Sequence, residues 1–456
     1  MESIQEKEKL VSLRLSKVVK PLAILLLLVL IISIVFLYKT FGPQIPVATG
    51  FVAKKACSYH YISERALDQI EEVEFNASPL NLVSFTNDPK AQSVTASLFG
   101  LGNATAQYKK NLGCVLLHGK DDANISLNTI AKNSSSSVLP RKTSSSIRSD
   151  AIAEAVDLAM DAKGKSGTMT TSFLVIQNDS IVSENYGKGY DSETEILGWS
   201  MTKSICNLLI GILVKEGKLS LQKTNLYDKW TTDKRKNITL ANLLHMDSGL
   251  SWTEEYEDIC DVTQGLFLEE DFVSFVVDKP LESEIGSAWE YSSGTTNLVS
   301  GIIRKQFYSV QEYLAFPQTA LFSKLEIGDA QIETDESGNL ILSSYGYAKA
   351  RDWAKLGILY KNQGNWQGTQ IVDTSYVQFS ITPTVNSEYG SHIWLNRNQK
   401  KYPSAPADMY YFSGYDGQYV FMFPSHDMII VRTGISKGPE FNMDKIIGTV
   451  LSGISE

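Results

Sequence analysis

Ser200 and Lys203 stand three residues apart in Gly198-Trp199-Ser200-Met201-Thr202-Lys203, just ahead of the apolar run 204–213. On a helix that spacing puts both side chains on one face, within reach of each other. A serine hydroxyl is a weak nucleophile at neutral pH and must pass its proton to a neighbour as it attacks. A lysine withdrawn from water loses its charge readily and can take that proton. If Ser200 opens the helix, the unpaired N–H groups of the first turn also face the negative charge that develops on an attacked carbonyl. One turn then offers nucleophile, base and part of an oxyanion hole. By itself the pair is a weak signal, because a serine followed by a lysine equally describes an N-cap and a solvated side chain.

The elements that would position the pair are legible on its amino-terminal side. Residues Thr171 to Gln177, the polar pair Asn178-Asp179 and Ser180 to Glu184 read as a β-hairpin. Ala151 to Ala162 carries apolar residues at helical spacing. Ahead of these, the Ser-rich passages Asn133 to Ser137 and Thr143 to Ser146 read as loop or linker.

The chain's 456 residues, 43% hydrophobic and 20% charged, suffice for a full core in one large or two interleaved domains. A net charge of -9 with no long basic stripe excludes nucleic acid as a partner. Pro21 to Tyr38 contains no charge, and as a helix spans roughly 27 Å, enough to cross a bilayer. Lys7, Lys9, Arg14, Lys17 and Lys20 precede it, so the amino terminus is expected in the cytoplasm and the bulk beyond the membrane, periplasmic or extracellular. A cleaved signal sequence is the competing reading; the length of the apolar run favours an uncleaved anchor. An oxidising exterior would let Cys57 and Cys114 pair, whereas Cys206 reads as a buried small hydrophobe.

The order helix, hairpin, Ser-x-x-Lys helix resembles the penicillin-recognising serine hydrolases. More narrowly it is similar to the β-lactamase-related enzymes of the class C and penicillin-binding esterase type, and above all to the 6-aminohexanoate-dimer (nylon oligomer) hydrolase branch. The likeness runs from about Val52 to the carboxyl end and includes Val94 to Gly100 and Leu112-Gly113-Cys114. It implies an α/β (α+β) fold: a twisted antiparallel sheet flanked by helices, with an inserted all-helical subdomain and Glu440 to Ser455 packed as a helix on the sheet. With the anchor, the expected organisation is a cytoplasmic segment 1–20, a membrane segment 21–38, an extracytoplasmic segment 39–150 packing on the hydrolase domain, and that domain at 151–456.

The resemblance also assigns roles. Trp289-Glu290-Tyr291-Ser292-Ser293 matches a Tyr-x-Ser motif, in which Tyr291, its pKa drawn down by the lysine cation, would share the proton of Ser200 and return it to the leaving group. Phe412-Ser413-Gly414 occupies the place of the Lys-Thr-Gly or His-x-Gly strand. There the N–H of Tyr415 would face that of Ser200 across the acyl oxygen, with Gln418 as the alternative register. Ser293, Gly414, Gly417 and Gln418 are expected to contact substrate. The missing cation makes carboxylate-bearing β-lactams poorer candidates. The segment 238–250 with His245 and Asp247, and the segment 343–357 with an expected Arg351-Asp352 pairing, are read as structural.

The activity implied is acyl transfer to water from a small amide or ester, with no metal or organic cofactor. The rival is a membrane-anchored binding protein of penicillin-binding type that keeps the fold and turns over slowly or not at all. The sequence does not set the oligomeric state.

Overall fold

In a computed structural model, which describes residues 19–33, 35–36, 39, 41–119, 139–141, 147–161, 168–256, 259–436 and 441–454, the first helix packed into the core is α1 (Gln44–Tyr61). Against it lies an antiparallel sheet of β1 (Val83–Asp88), β2 (Ser93–Leu98), β3 (Leu101–Lys109) and β4 (Gly113–Leu117), in that order. A disulfide between Cys57 and Cys114 joins α1 to β4 as expected. Beside it the buried Lys54 ammonium meets the equally buried Glu333 carboxylate at 3.0 Å, which ties α1 to the remainder of the molecule.

The central sheet buries 169–177 almost throughout, polar residues included. Strands β5 (Met169–Gln177) and β6 (Ser180–Tyr186) form the expected hairpin. After the short β7 (Ile196–Leu197) come the nucleophile helix α2 (Thr202–Lys215) and then α3 (Leu240–His245), α4 (Asp261–Phe267), α5 (Phe272–Val277) and α6 (Ser293–Arg304). These last four form the inserted helical part. Strand β9 (Gly346–Ala348) pairs with β7 on one side and with β8 (Gln331–Ile332) on the other, α7 (Ala350–Lys361) follows, and β10 (Asn365–Trp366) and β11 (Thr369–Gln370) make a small ladder. Strands β12 (Trp394–Leu395), β13 (Tyr410–Gly414), β14 (Gln418–Phe423) and β15 (Met428–Ile435) complete a six-stranded antiparallel sheet of order β12-β13-β14-β15-β5-β6. The helix α8 (Met443–Ser452) closes the described chain.

Successive side chains of a strand point to opposite faces, and here both faces are covered. Phe173, Val175, Phe421 and Ile430 meet the helix Ser149–Ala159 and α8 through Ala155, Ile446 and Val450. Leu174, Ile176, Val420 and Ile429 turn the other way, into the larger core with Ile205, Leu209 and Leu359 of α2 and α7. That core also takes in Val52, Ala56, Val94 and Ala106 from the amino-terminal unit.

Arg351 and Asp352 do not pair: Arg351 Nε donates to Glu184 Oε1 at 2.6 Å, and Asp352 takes Lys355 at 3.0 Å. Consecutive helical residues diverge around the axis, so each finds a partner elsewhere. The Ser-rich passages 133–137 and 143–146 lie outside the described residues. Residues 19–33 are helical with their apolar side chains exposed, and among the described residues no helix is long and apolar enough to cross a membrane; positions 34, 37 and 38 of the expected span lie outside them.

Candidate active site

Ser200 does not open the α-helix itself. It sits on a 3₁₀ turn, Trp199–Met201, that leads into α2. Trp199 before it has φ of +47°, a region that bulky side chains avoid unless the surroundings hold them there. The holding contacts are specific. Thr202 Oγ1 donates to the Trp199 carbonyl at 2.7 Å, Gly346 N donates to Thr202 Oγ1 at 2.9 Å, and Gly198 N donates to the Gly346 carbonyl at 2.8 Å. Gly198 must lack a side chain, since a Cβ there would come within 2.2 Å of the Trp353 ring.

Lys203 Nζ reaches Ser200 Oγ, Ser293 Oγ and the Ser343 carbonyl, each at 3.0 Å. The amine is buried, and that burial lowers its pKa from the ordinary lysine value to about 8, against the opposing charge of Glu254. The partners decide how the neutral amine is oriented. The Ser343 carbonyl only accepts, and Ser293 Oγ spends its hydrogen on Glu254 Oε1 at 2.7 Å, so it too accepts from the lysine. Both N–H groups of a neutral amine are thereby taken, and its lone pair is left facing the Ser200 hydroxyl.

Tyr291 completes the cluster. The centre of its ring lies 4.8 Å from Lys203 Nζ, and Ser200 acts on its phenol to lower the pKa. The expected depression of its pKa does not occur. Burial, reinforced by Glu254, pushes the phenol well above its usual value and outweighs the opposing effect of Ser200. The lysine cation stands over the ring face rather than against the oxygen, where it would favour a phenolate.

Gly414 ends β13 against the nucleophile turn: a Cβ on it would lie 2.2 Å from the Gly198 carbonyl oxygen. Tyr415 follows, its ring edge-on to Trp199 at 5.7 Å and 5.4 Å from Tyr256. Of the expected substrate contacts, three have other occupations. Ser293 is fully buried between Lys203 and Glu254. Gly417, at φ +88°, forms the turn after β13 where a Cβ would strike Ser436. Gln418 is buried on β14, opposite Gly414, and its amide bonds Tyr415 O at 3.1 Å and both the N–H and C=O of Gly434. The alternative register through Gln418 therefore falls on the neighbouring strand. His245 packs on Phe379 at 4.7 Å and takes no part in the cluster.

Glu254 is the residue that sequence reasoning missed. It accepts from Trp252 Nε1 at 2.8 Å, Ser293 N at 2.6 Å, Ser293 Oγ at 2.7 Å and Tyr256 OH at 3.0 Å. Aromatic rings cluster beside the nucleophile turn: Tyr415 packs between Trp199 and Tyr256, and Tyr291 lies 5.5 Å from Trp394.

A family model described as Beta-lactamase matches residues 152–446. The 6-aminohexanoate-dimer hydrolase of Paenarthrobacter ureafaciens is 21% identical over 300 residues, covering 60% of this chain and 74% of that protein. A penicillin-binding protein homologue from Caulobacter crescentus superposes with a TM-score of 0.54 at 16% identity, over 67% of this chain and 98% of its own. EstCE1, a hydrolase with promiscuous acyltransferase activity, does so with a TM-score of 0.51 at 13% identity, over 67% and 98%.

Proposed function

Because the chain belongs to the beta-lactamase family, we propose that it is a serine hydrolase that cleaves an amide or ester through an acyl-enzyme. The observation that carries this reading is the 3.0 Å contact of Lys203 Nζ with Ser200 Oγ in a lysine whose pKa is lowered to about 8. Ser200 Oγ attacks the substrate carbonyl carbon while its proton passes to the neutral Lys203 amine. Tyr291, held neutral by burial, gives its phenolic proton to the leaving nitrogen or oxygen and is resupplied from Lys203. Water then enters by the reverse sequence and frees the acid. The N–H groups of Ser200 and Tyr415 stabilise the oxyanion, a role supported by the close approach of Gly414 to Gly198.

The aromatic rings clustered beside the nucleophile turn favour an apolar acyl or amine chain. Together with the similarity to a protein named 6-aminohexanoate-dimer hydrolase, it supports short linear amides, or esters of the same shape, as the substrate class. The exposed apolar side chains of residues 19–33, continuing the uncharged run to Tyr38, support an amino-terminal membrane anchor with the hydrolase domain outside the cytoplasm.

The deciding experiment pairs turnover of a chromogenic ester with fluorophosphonate labelling of the wild type and Ser200→Ala. Activity and label in the wild type, both absent from Ser200→Ala, are expected. Undiminished turnover by Ser200→Ala overturns the assignment. A wild type that takes no label favours a binding protein, and a label retained for hours favours slow deacylation.

A further inference from the structure

The exposed apolar residues of the β1–β4 unit are not scattered. Leu82 is 49% exposed, Phe99 78% and Leu101 55%, and strand register brings them together: Val83 pairs with Leu98, and Leu98 with Leu101. All three therefore lie at one end of this sheet. Phe99 adopts φ of +51° in the turn between β2 and β3, where a glycine would relieve the strain and a polar residue the exposure. Neither property of Phe99 serves the fold.

The same end of the sheet is where the chain arrives from its amino-terminal helix. Gly102 lies so near the start of α1 that a Cβ on it would come within 2.5 Å of Ile45 Cγ2. Thr49 Oγ1 donates to the Gly102 carbonyl at 2.5 Å. Phe41, just before α1, is 52% exposed. The opposite end of the sheet, beyond the pairs Asp88 with Ser93 and Ser93 with Gln107, carries the polar turns with Lys90 and Lys110. The unit is thus apolar toward the amino-terminal helix and charged away from it. Residues 34–43 cannot extend beyond about 36 Å, so any bilayer holding that helix stays within a short tether of the apolar end.

We propose that Phe41, Leu82, Phe99 and Leu101 form a lipid-docking edge that inserts at the headgroup–acyl boundary of the bilayer and sets the orientation of the hydrolase domain on the membrane. An interfacial lipid layer accepts aromatic and aliphatic side chains without requiring a complementary protein groove. The inference rests on the anchor reading given above, and its test separates the two. The free cysteines Cys206 and Cys260 are buried, so an introduced surface cysteine can be labelled selectively. Full-length chains carrying Leu27→Cys, Phe99→Cys, Leu101→Cys or Lys90→Cys are labelled with bimane and reconstituted in phosphatidylcholine vesicles with and without bromine on the acyl chains. Bromine is expected to quench positions 27, 99 and 101 and to leave position 90 bright. Quenching at 27 alone, or equal quenching at 90 and 99, overturns the docking edge while leaving the anchor. Absence of quenching at 27 overturns the anchor, and the docking edge with it.

Discussion

Ser293 and Glu254 are joined twice, the backbone N–H of Ser293 to Oε2 at 2.6 Å and its hydroxyl to Oε1 at 2.7 Å. The carboxylate thereby caps the start of α6 and fixes which way the Ser293 hydroxyl points. That direction matters one bond further on, because only an accepting Ser293 oxygen can hold an N–H of Lys203 at 3.0 Å. A half-buried acid that touches neither nucleophile nor base thus orients the base. It also raises the Lys203 pKa that burial lowers.

Glu254→Gln keeps the shape, removes the charge and lets an amide N–H compete for the Ser293 oxygen. Losing one well-placed, charge-assisted hydrogen bond is worth about 1–3 kcal/mol, so kcat/KM is expected to fall roughly tenfold to a hundredfold. With the carboxylate's raising effect gone, the acidic limb of the pH–rate profile moves to lower pH. A loss of rate without that displacement would assign Glu254 to architecture alone.

The wild-type profile follows from Lys203. Its neutral form is the base, so activity is lost as pH falls through about 8, close to tenfold per pH unit below that value, and levels off above it. Lys203→Arg should be inactive throughout, because a guanidinium stays charged at every accessible pH. A rate that is flat between pH 6 and 9 would remove Lys203 from the role of base.

Tyr291→Phe separates phenol from amine. Burial keeps the Tyr291 hydroxyl protonated, so it works as a donor, and its loss should lower kcat by about a hundredfold or more. The limb near pH 8 should remain, since Lys203 sets it. If the limb vanishes with the phenol, the tyrosine and not the lysine is the titrating base.

What could be read from the sequence divides along physical lines. The hairpin 171–184, the helix near Ala151 and the reach from Ser200 to Lys203 are local, set by periodicity and turn chemistry, and the structure has each of them. Glu254 was illegible because it lies in an acidic run, Glu254-Glu255-Tyr256-Glu257-Asp258, that reads as a solvated loop; only its contact with Ser293, 39 residues away, distinguishes it. The flanking Trp252 and Tyr256, both bonded to it, were the available signal. For Ser293 and Gln418 the unreadable part was the opposite one, the partners inside the chain. Motif position points them at substrate, and the structure adds hydrogen bonds to Glu254 and Lys203 for Ser293 and to Gly434 for Gln418.

The disulfide supplies a stability prediction that also reports on the site. Cys57 and Cys114 are 57 residues apart, and closing a loop of that size stabilises a folded chain by about 4 kcal/mol. The helix that carries Cys57 also backs the nucleophile turn, with Phe51 stacked on Trp199 at 6.4 Å and Lys55 Nζ 5.8 Å from the same ring. Loosening α1 should therefore release Trp199 from its strained backbone and disperse Ser200 and Lys203. A Cys57→Ala, Cys114→Ala double variant, or the wild type in reductant, is expected to show a lower Tm by scanning calorimetry. Between the two Tm values it should lose fluorophosphonate labelling of Ser200 that the oxidised wild type retains. Labelling that survives unchanged in that window would show that the nucleophile turn holds its geometry without α1.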